Sequence, residues 1–219
     1  MNHLTANLAA FQAELAQVCE SCGRNPEEIS LVAITKNRSA AQINELLQSG
    51  VRVIGENRIQ EALGKFPELK PCEKHFVGHL QSNKVREAVA NFDCIESVDS
   101  VKLAYKLSAE AVKFNKTLPV FIQINIARED TKSGFEIEEL ENAVNAIKNL
   151  PNLKIIGLMT IGPNTDDVEA IRNVFKKGFE LKEKLGLPYY SAGMSDDWKI
   201  AVECGASHLR IGRILFKKN

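Results

Sequence analysis

The chain has 219 residues, 44% hydrophobic and 26% charged, an ordinary globular composition long enough for a sizeable core. Its 28 Lys and Arg balance its 28 Asp and Glu, so overall charge argues against broad binding to nucleic acid or acidic membrane and leaves room only for a local basic pocket. No apolar run approaches the roughly 18 residues of a membrane helix, and five scattered cysteines, an odd count, argue against a secreted disulfide framework.

The N-terminal stretch "MNHLTANLAAFQAELAQVCESCGR" is amphipathic and carries acids, with no basic segment ahead of an apolar one. It predicts a helix over about residues 3–22 of a mature cytoplasmic protein. "CESC" closes that helix just before Gly23, whereas a redox pair opens a helix, where the N-terminus lowers a thiol pKa. With no second cysteine pair to complete a zinc site, Cys19 and Cys22 read as structural. "NPEEI" then turns the chain at Pro26.

From there strand-like and helix-like segments alternate. Strands are predicted at 30–35, 51–55, 74–78, 94–98, 119–125, 153–161, 189–193 and 207–212. Helices are predicted near 39–49, 57–65, 82–91, 100–115, 136–149, 165–185 and 196–204. Ser39, Ser82 and Ser100 read as N-caps, and Gly50, Gly186 and Gly205 as helix stops. In "VFKKGFELKEK" the charges read as a solvated face, while Phe175 and Phe179 sit four apart and read as core. Eight strands alternating with helices predict an α/β protein with a parallel sheet, and eight is the count of a closed (β/α)8 TIM barrel. Residues 1–219 are expected to form one such domain with an extra N-terminal helix. The leading alternative, an open doubly wound sheet, lacks a G-x-G-x-x-G after the first strand.

Barrel chemistry gathers at the C-terminal strand ends. Those ends carry Lys36, Glu56 with Asn57, His79 with Gln81, Asp99, Asn125, Met159 with Thr160, Ser195, and Arg210 with Gly212. A strand-end lysine in a water-poor site can have its amine pKa lowered and form a Schiff base with a carbonyl. The last two strand-to-helix connections of a barrel often hold a phosphate, and in "GMSDDW" a serine precedes an expected helix start. Lysine for an aldehyde and a site for its phosphate suggest pyridoxal 5′-phosphate (PLP), with Lys36 in an internal aldimine; they fit a Schiff-base aldolase acting on a phosphosugar equally well. Simpler readings stand beside these. Lys36 can mark the return of the chain to water, Ser195 can be a plain N-cap, and Arg210 can pair with a helix carboxylate. His79 reads as a supporting hydrogen bond or a packed imidazole, and no catalytic role is assigned to it.

The stretches "AITK", "IGENRIQEALGK", "GHLQSNK", "SVDS", "QINIAREDTKSGF", "GLMTIGP" and "GMSDDWKIAVECGASHLRIG" resemble the pyridoxal-phosphate-binding homeostasis proteins, in the right order over nearly the whole chain. The resemblance implies a single barrel like the N-terminal domain of alanine racemase. It implies PLP covalently on Lys36 and a role as carrier or regulator in intracellular PLP (vitamin B6) homeostasis, with no established enzymatic reaction. It implies that Ser195 and Gly212 contact the phosphate and that Arg210 faces the pyridine nitrogen and keeps it unprotonated, which weakens the ring as an electron sink. It implies Asn57 beside the ring and Met159 and Met194 lining the pocket.

The alternative is a PLP-dependent amino-acid racemase or other PLP enzyme. A racemase of this fold takes its second base, a tyrosine, from an additional domain of a partner subunit. This chain ends at Asn219, directly after the eighth strand, and Tyr105, Tyr189 and Tyr190 supply no obvious substitute. A monomer is therefore expected, passing PLP transiently to PLP-dependent apoenzymes and contacting neither nucleic acid nor membrane. Three positions depart from the family pattern. Arg58 stands where an aromatic residue usually follows "GEN", and "RIGRILFKKN" puts Arg213 and Lys217 where the family has small residues near the phosphate.

Overall fold

The structure is a computed structural model that describes residues 3–129 and 131–218. Eight parallel strands close into a barrel in chain order: β1 (Ser30–Ile34), β2 (Val53–Glu56), β3 (Glu73–Phe76), β4 (Cys94–Val98), β5 (Leu118–Ile124), β6 (Leu153–Thr160), β7 (Tyr189–Ser191) and β8 (His208–Ile211). Closure comes from β8 against β1, with Ser30 opposite His208 and Ala33 opposite Ile211. The expected (β/α)8 barrel is present, and the open sheet is excluded because no strand is left as an edge.

Around it lie α1 (His3–Ser21), α2 (Ala40–Gln48), α3 (Ile59–Lys65), α4 (Val85–Asn91), α5 (Val101–Lys113), α6 (Ile137–Ile147), α7 (Val168–Lys184), α8 (Trp198–Glu203) and α9 (Arg213–Phe216). Local chemistry explains several boundaries. Ser39 and Gln42 form a reciprocal capping box at α2, and Ser100 Oγ accepts the Leu103 N–H at α5. Gly50, Gly186 and Gly205 take φ of +109°, +64° and +91° after α2, α7 and α8, the left-handed conformation that ends a helix. Ser82 departs from its expected role: it opens a 3-10 turn, Ser82–Lys84, and α4 begins only at Val85. The short helix α9 was not anticipated from the sequence pattern, because four residues are too few to show a helical period.

On α1 the buried residues Leu4, Leu8, Phe11, Leu15 and Cys19 recur every three or four positions, which lays one stripe on the barrel's helical layer. Phe11 meets Trp198 of α8 with ring centroids 5.0 Å apart, and burying such a side chain is worth roughly 1.5–3 kcal/mol. Along the strands, alternation sends Ile95, Ile122 and Leu209 outward into the main core. Their neighbours Glu96, Phe121, Gln123, His208 and Arg210 take the opposite face, toward the barrel axis. No helix among the described residues is long and apolar enough to cross a membrane.

Candidate functional site

A cavity of about 290 Å³ opens at the C-terminal ends of the strands. Its walls include Lys36 after β1, Asn57 after β2, His79 after β3, Lys132 and Ser133 after β5, Met194 after β7, and Arg210 on β8; among the described residues no carboxylate lines it. Lys36 and Arg210 make no ion pair among the described residues, whereas Lys132 Nζ lies 2.8 Å from Glu129 Oε1; the two unpaired cations favour an anion. A larger groove of about 760 Å³ lies at the opposite end of the barrel, but Arg24, Lys176 and Lys182 there face Glu28, Glu180, Glu183 and Glu203. Size points to that groove; charge and an available amine point to the smaller cavity, and chemistry decides for the latter.

Lys36 is exposed, so the water-poor setting expected for it is not found: buried Thr35 follows the end of β1, and the next residue emerges into the open mouth. Its ammonium makes no hydrogen bond or ion pair among the described residues. Lys65, at the end of α3, reaches the same strand end and is fully occupied. Its Nζ donates to Thr35 O at 2.9 Å and lies 2.7 Å from Glu56 Oε1 and 3.0 Å from Glu61 Oε1. Glu56 is wholly buried, and burial raises its carboxyl pKa against the opposing hydrogen bond from Lys65. Of the two amines, only Lys36 is free to react.

Arg210 forms the floor. It is 5% exposed, and its guanidinium is tied from behind: Nη1 donates to Ser191 Oγ at 2.6 Å and Nη2 to Thr160 O at 2.7 Å. Among the described residues no helix carboxylate forms an ion pair with it. Ser191 Oγ in turn donates to Glu96 Oε2 at 2.5 Å, Glu96 Oε1 accepts from His75 Nδ1 at 2.6 Å, and His75 Nε2 lies 2.9 Å from Glu73 Oε1. This chain of contacts runs through the barrel axis. Burial disfavours the His75 charge, but the bonds and charges of Glu73 and Glu96 outweigh it and raise its pKa to about 9. Burial likewise opposes the Glu96 charge, and His75 followed by Arg210 overcomes it, holding Glu96 at about 2. His208, with its ring 6.3 Å from that of His75, is lowered to about 4, chiefly by burial.

The rim after β5 is built by Asn125. Its side-chain amide donates to the carbonyls of Glu129 at 3.0 Å and Lys132 at 3.2 Å, while Gln123 Nε2 donates to Ser133 O at 2.6 Å. The loop folds back because Gly134 has φ +137°, and a Cβ there would stand 2.7 Å from Asn125 N. Lys132 Nζ donates to Gly162 O at 2.7 Å, joining this rim to the one after β6.

Of the residues singled out in the sequence, Lys36, Asn57, Met194 and Arg210 line the cavity. Asn57 Oδ1 is buried with no hydrogen-bond partner among the described residues, an orphaned polar atom on a residue of the cavity wall. Met159 is not brought to the cavity: it is fully buried and packs with Cys94 and Phe121 in the barrel interior. Ser195 and Gly212 are not among its walls; they stand on the loops after β7 and β8, next in sequence to the wall residue Met194 and two positions beyond the wall residue Arg210. Ser195 is not the N-cap of α8. Asp197 holds that position, and its carboxylate closes the preceding turn by accepting the Met194 N–H at 2.6 Å. Arg213 pairs with Asp196 on the outside, clasping the two loops together. Arg58 is exposed at the start of α3.

Among the strand ends that carried no catalytic role in the sequence, His79 and Asp99 meet at 2.9 Å, so the imidazole does make the supporting hydrogen bond expected as one of its two readings. The interior line of Glu96, Ser191 and His75 was missed; only its alternation with apolar neighbours marked those polar residues as inward-facing. No group of three or more His, Cys, Asp or Glu among the described residues is arranged to hold a metal, and all five cysteines are free thiols.

The chain is similar in sequence and fold to known proteins. The family described as alanine racemase, N-terminal domain, matches residues 6–219. A pyridoxal phosphate homeostasis protein of Pseudomonas aeruginosa is 39% identical over 220 residues, which covers 99% of this chain and 96% of that one. The chain belongs to the pyridoxal phosphate homeostasis protein family. A homeostasis protein of Aquifex aeolicus is 38% identical over 217 residues, 95% of each chain. PipY of Synechococcus elongatus, a solved structure with PLP bound, is 31% identical with a TM-score of 0.87, covering 98% of this chain and all of PipY. These relatives are named for pyridoxal phosphate homeostasis and not for a reaction.

Proposed function

We propose that this protein binds PLP at the C-terminal mouth of its barrel and holds it covalently through Lys36, as a carrier or regulator of intracellular PLP. The observation that carries the reading is the unpaired Lys36 amine in a cavity that also holds the Arg210 guanidinium and that no carboxylate of the described residues lines. PLP supplies an aldehyde that bonds reversibly to amines and a ring that withdraws electrons. The residues present fit it: an available amine for the aldehyde, an orphaned Asn57 Oδ1 on a wall residue, and a fixed guanidinium at the floor.

Arg210 would face the ring nitrogen. A guanidinium is a permanent donor that cannot give up its proton in a protein, so it keeps that nitrogen unprotonated and restrains the ring's electron withdrawal. Restraint of this kind suits a carrier, which must hold the cofactor without reacting. Ser195 and Gly212, clasped by the Asp196–Arg213 pair, would receive the phosphate, and Met194 would cover the ring's edge. Met159 has no contact to offer from its buried position. Residues 1–219 act in this reading as one unit, a cytoplasmic monomer that gives PLP transiently to apoenzymes.

The test is absorbance with added PLP, wild type against Lys36→Ala, followed by borohydride reduction and peptide mass mapping. A visible band and an adduct on Lys36 in the wild type alone supports the reading. An adduct elsewhere, or none, overturns it.

A further inference from the structure

His79 shares the cavity with Lys36, and the reading above gives it nothing to do. Its Nδ1 lies 2.9 Å from Asp99 Oδ2 and 3.1 Å from Ser133 Oγ. The Asp99 side chain is 11% exposed while the imidazole is 62% exposed, so a sheltered carboxylate orients an open ring. A carboxylate that accepts from Nδ1–H fixes the tautomer and leaves Nε2 with its lone pair available. No group among the described residues occupies that Nε2. By contrast His75, at the start of the same segment, spends both ring nitrogens on glutamates.

The backbone supports this placement. Gly78 presses so closely on the previous strand end that a Cβ would stand 2.3 Å from Asn57 O. Ser133 is fixed in turn by the bond from Gln123 to its carbonyl. Three strand ends thus converge on one imidazole, which sits in the wall of a cavity whose other walls carry the free amine and the anchored guanidinium.

We propose that His79 is the acid–base group of this cavity: it moves the protons that making and breaking the carbon–nitrogen bond at Lys36 Nζ requires, with Asp99 and Ser133 as positioning residues. The inference rests on the PLP reading and deepens it. Joining a primary amine to an aldehyde forms a carbon–nitrogen double bond and releases the carbonyl oxygen as water. Both protons of the neutral amine leave nitrogen and both reach that oxygen, and hydrolysis reverses every step. Nothing is oxidised or reduced. An imidazole that accepts a proton from nitrogen and returns it to oxygen serves both directions. His79 therefore sets how fast the protein loads and releases PLP, while Lys36, Arg210 and the phosphate contacts set how much it holds.

The experiment measures loading by mixing protein and PLP in a stopped-flow spectrometer, release by dilution of the loaded protein, and Kd by equilibrium titration. Wild type is compared with His79→Gln, His79→Ala and Asp99→Asn. The expected result is a fall in both rate constants by the same factor for the His79 variants, on the order of 10²–10⁴ for loss of an acid–base group, with Kd unchanged. Added imidazole is expected to restore part of the rate of His79→Ala, and Asp99→Asn to show a smaller fall in both directions. Unchanged rates overturn the proposal, and so does a weaker Kd with an unchanged loading rate, which would make His79 an ordinary contact. If wild type itself forms no bond at Lys36, the PLP reading fails, and that is seen before any variant is compared.

Discussion

Lys36 and Lys65 reach the same end of β1 from opposite sides and have opposite fates. Lys65 comes from α3 on the outside of the barrel, is 7% exposed, and is surrounded by Thr35 O, Glu56 and Glu61. Lys36 comes off the strand itself into a cavity that no carboxylate of the described residues lines. The same ammonium group becomes a structural tie where acids surround it and an available nucleophile where they do not. Burial alone would have selected the wrong lysine.

The comparison breaks most visibly at Lys36. Lys36→Ala is expected to lose the covalent adduct completely, read by borohydride trapping, with a thermal midpoint equal to that of wild type, because no bond among the described residues depends on its amine. Lys65→Ala should do the reverse. It leaves the wholly buried Glu56 without its cation, and removing one partner of a buried pair costs about 3 kcal/mol. Urea unfolding reads that loss, and trapping on Lys36 is expected to persist in the fraction that folds. Should Lys65→Ala abolish the adduct in folded protein, the division of labour between the two lysines is refuted.

Paired burial also predicts the pH dependence of stability, through the interior histidines. His75 is raised from 6.5 to about 9, so the stability it contributes is complete below 6.5 and is lost as pH rises toward 9. His208 is lowered from 6.5 to about 4; the unfolded chain binds its proton first, and stability falls as pH drops from 6.5 toward 4. Glu96, lowered from 4.5 to about 2, adds a further loss below 4.5. Unfolding free energy measured against pH is therefore expected to peak near 6.5, the ordinary histidine value. His75→Gln should flatten the alkaline limb, and an unaltered limb would remove His75 as its source. The smallest effect belongs to the exposed clasp: Arg213→Ala should change stability by no more than about 0.5 kcal/mol, as for other solvent-exposed pairs.

Much of the fold was legible because its signals are local. The β-branched run before Lys36, the capping box at Ser39 and the left-handed glycines at 50, 186 and 205 each depend on a few neighbouring residues. The site was legible as a set of strand ends, which topology then brought to one mouth. Within that set the sequence could not rank its members. Met159 and Met194 read alike, yet one is packed against Phe121 and the other stands at the rim. Ser195 read as a cap, and a turn closed by Asp197 took that position instead.

By itself, then, the sequence determined eight parallel strands, a lysine at the first strand end, an arginine on the last, and the family to which those motifs belong. Only the tertiary structure decided which lysine is free, what anchors Arg210, and that His79 meets Asp99. The reason is separation along the chain. Ser191 and Glu96 are 95 residues apart, and His79 and Ser133 are 54 apart. Contacts of that kind are set by barrel closure and strand register, which no local pattern encodes.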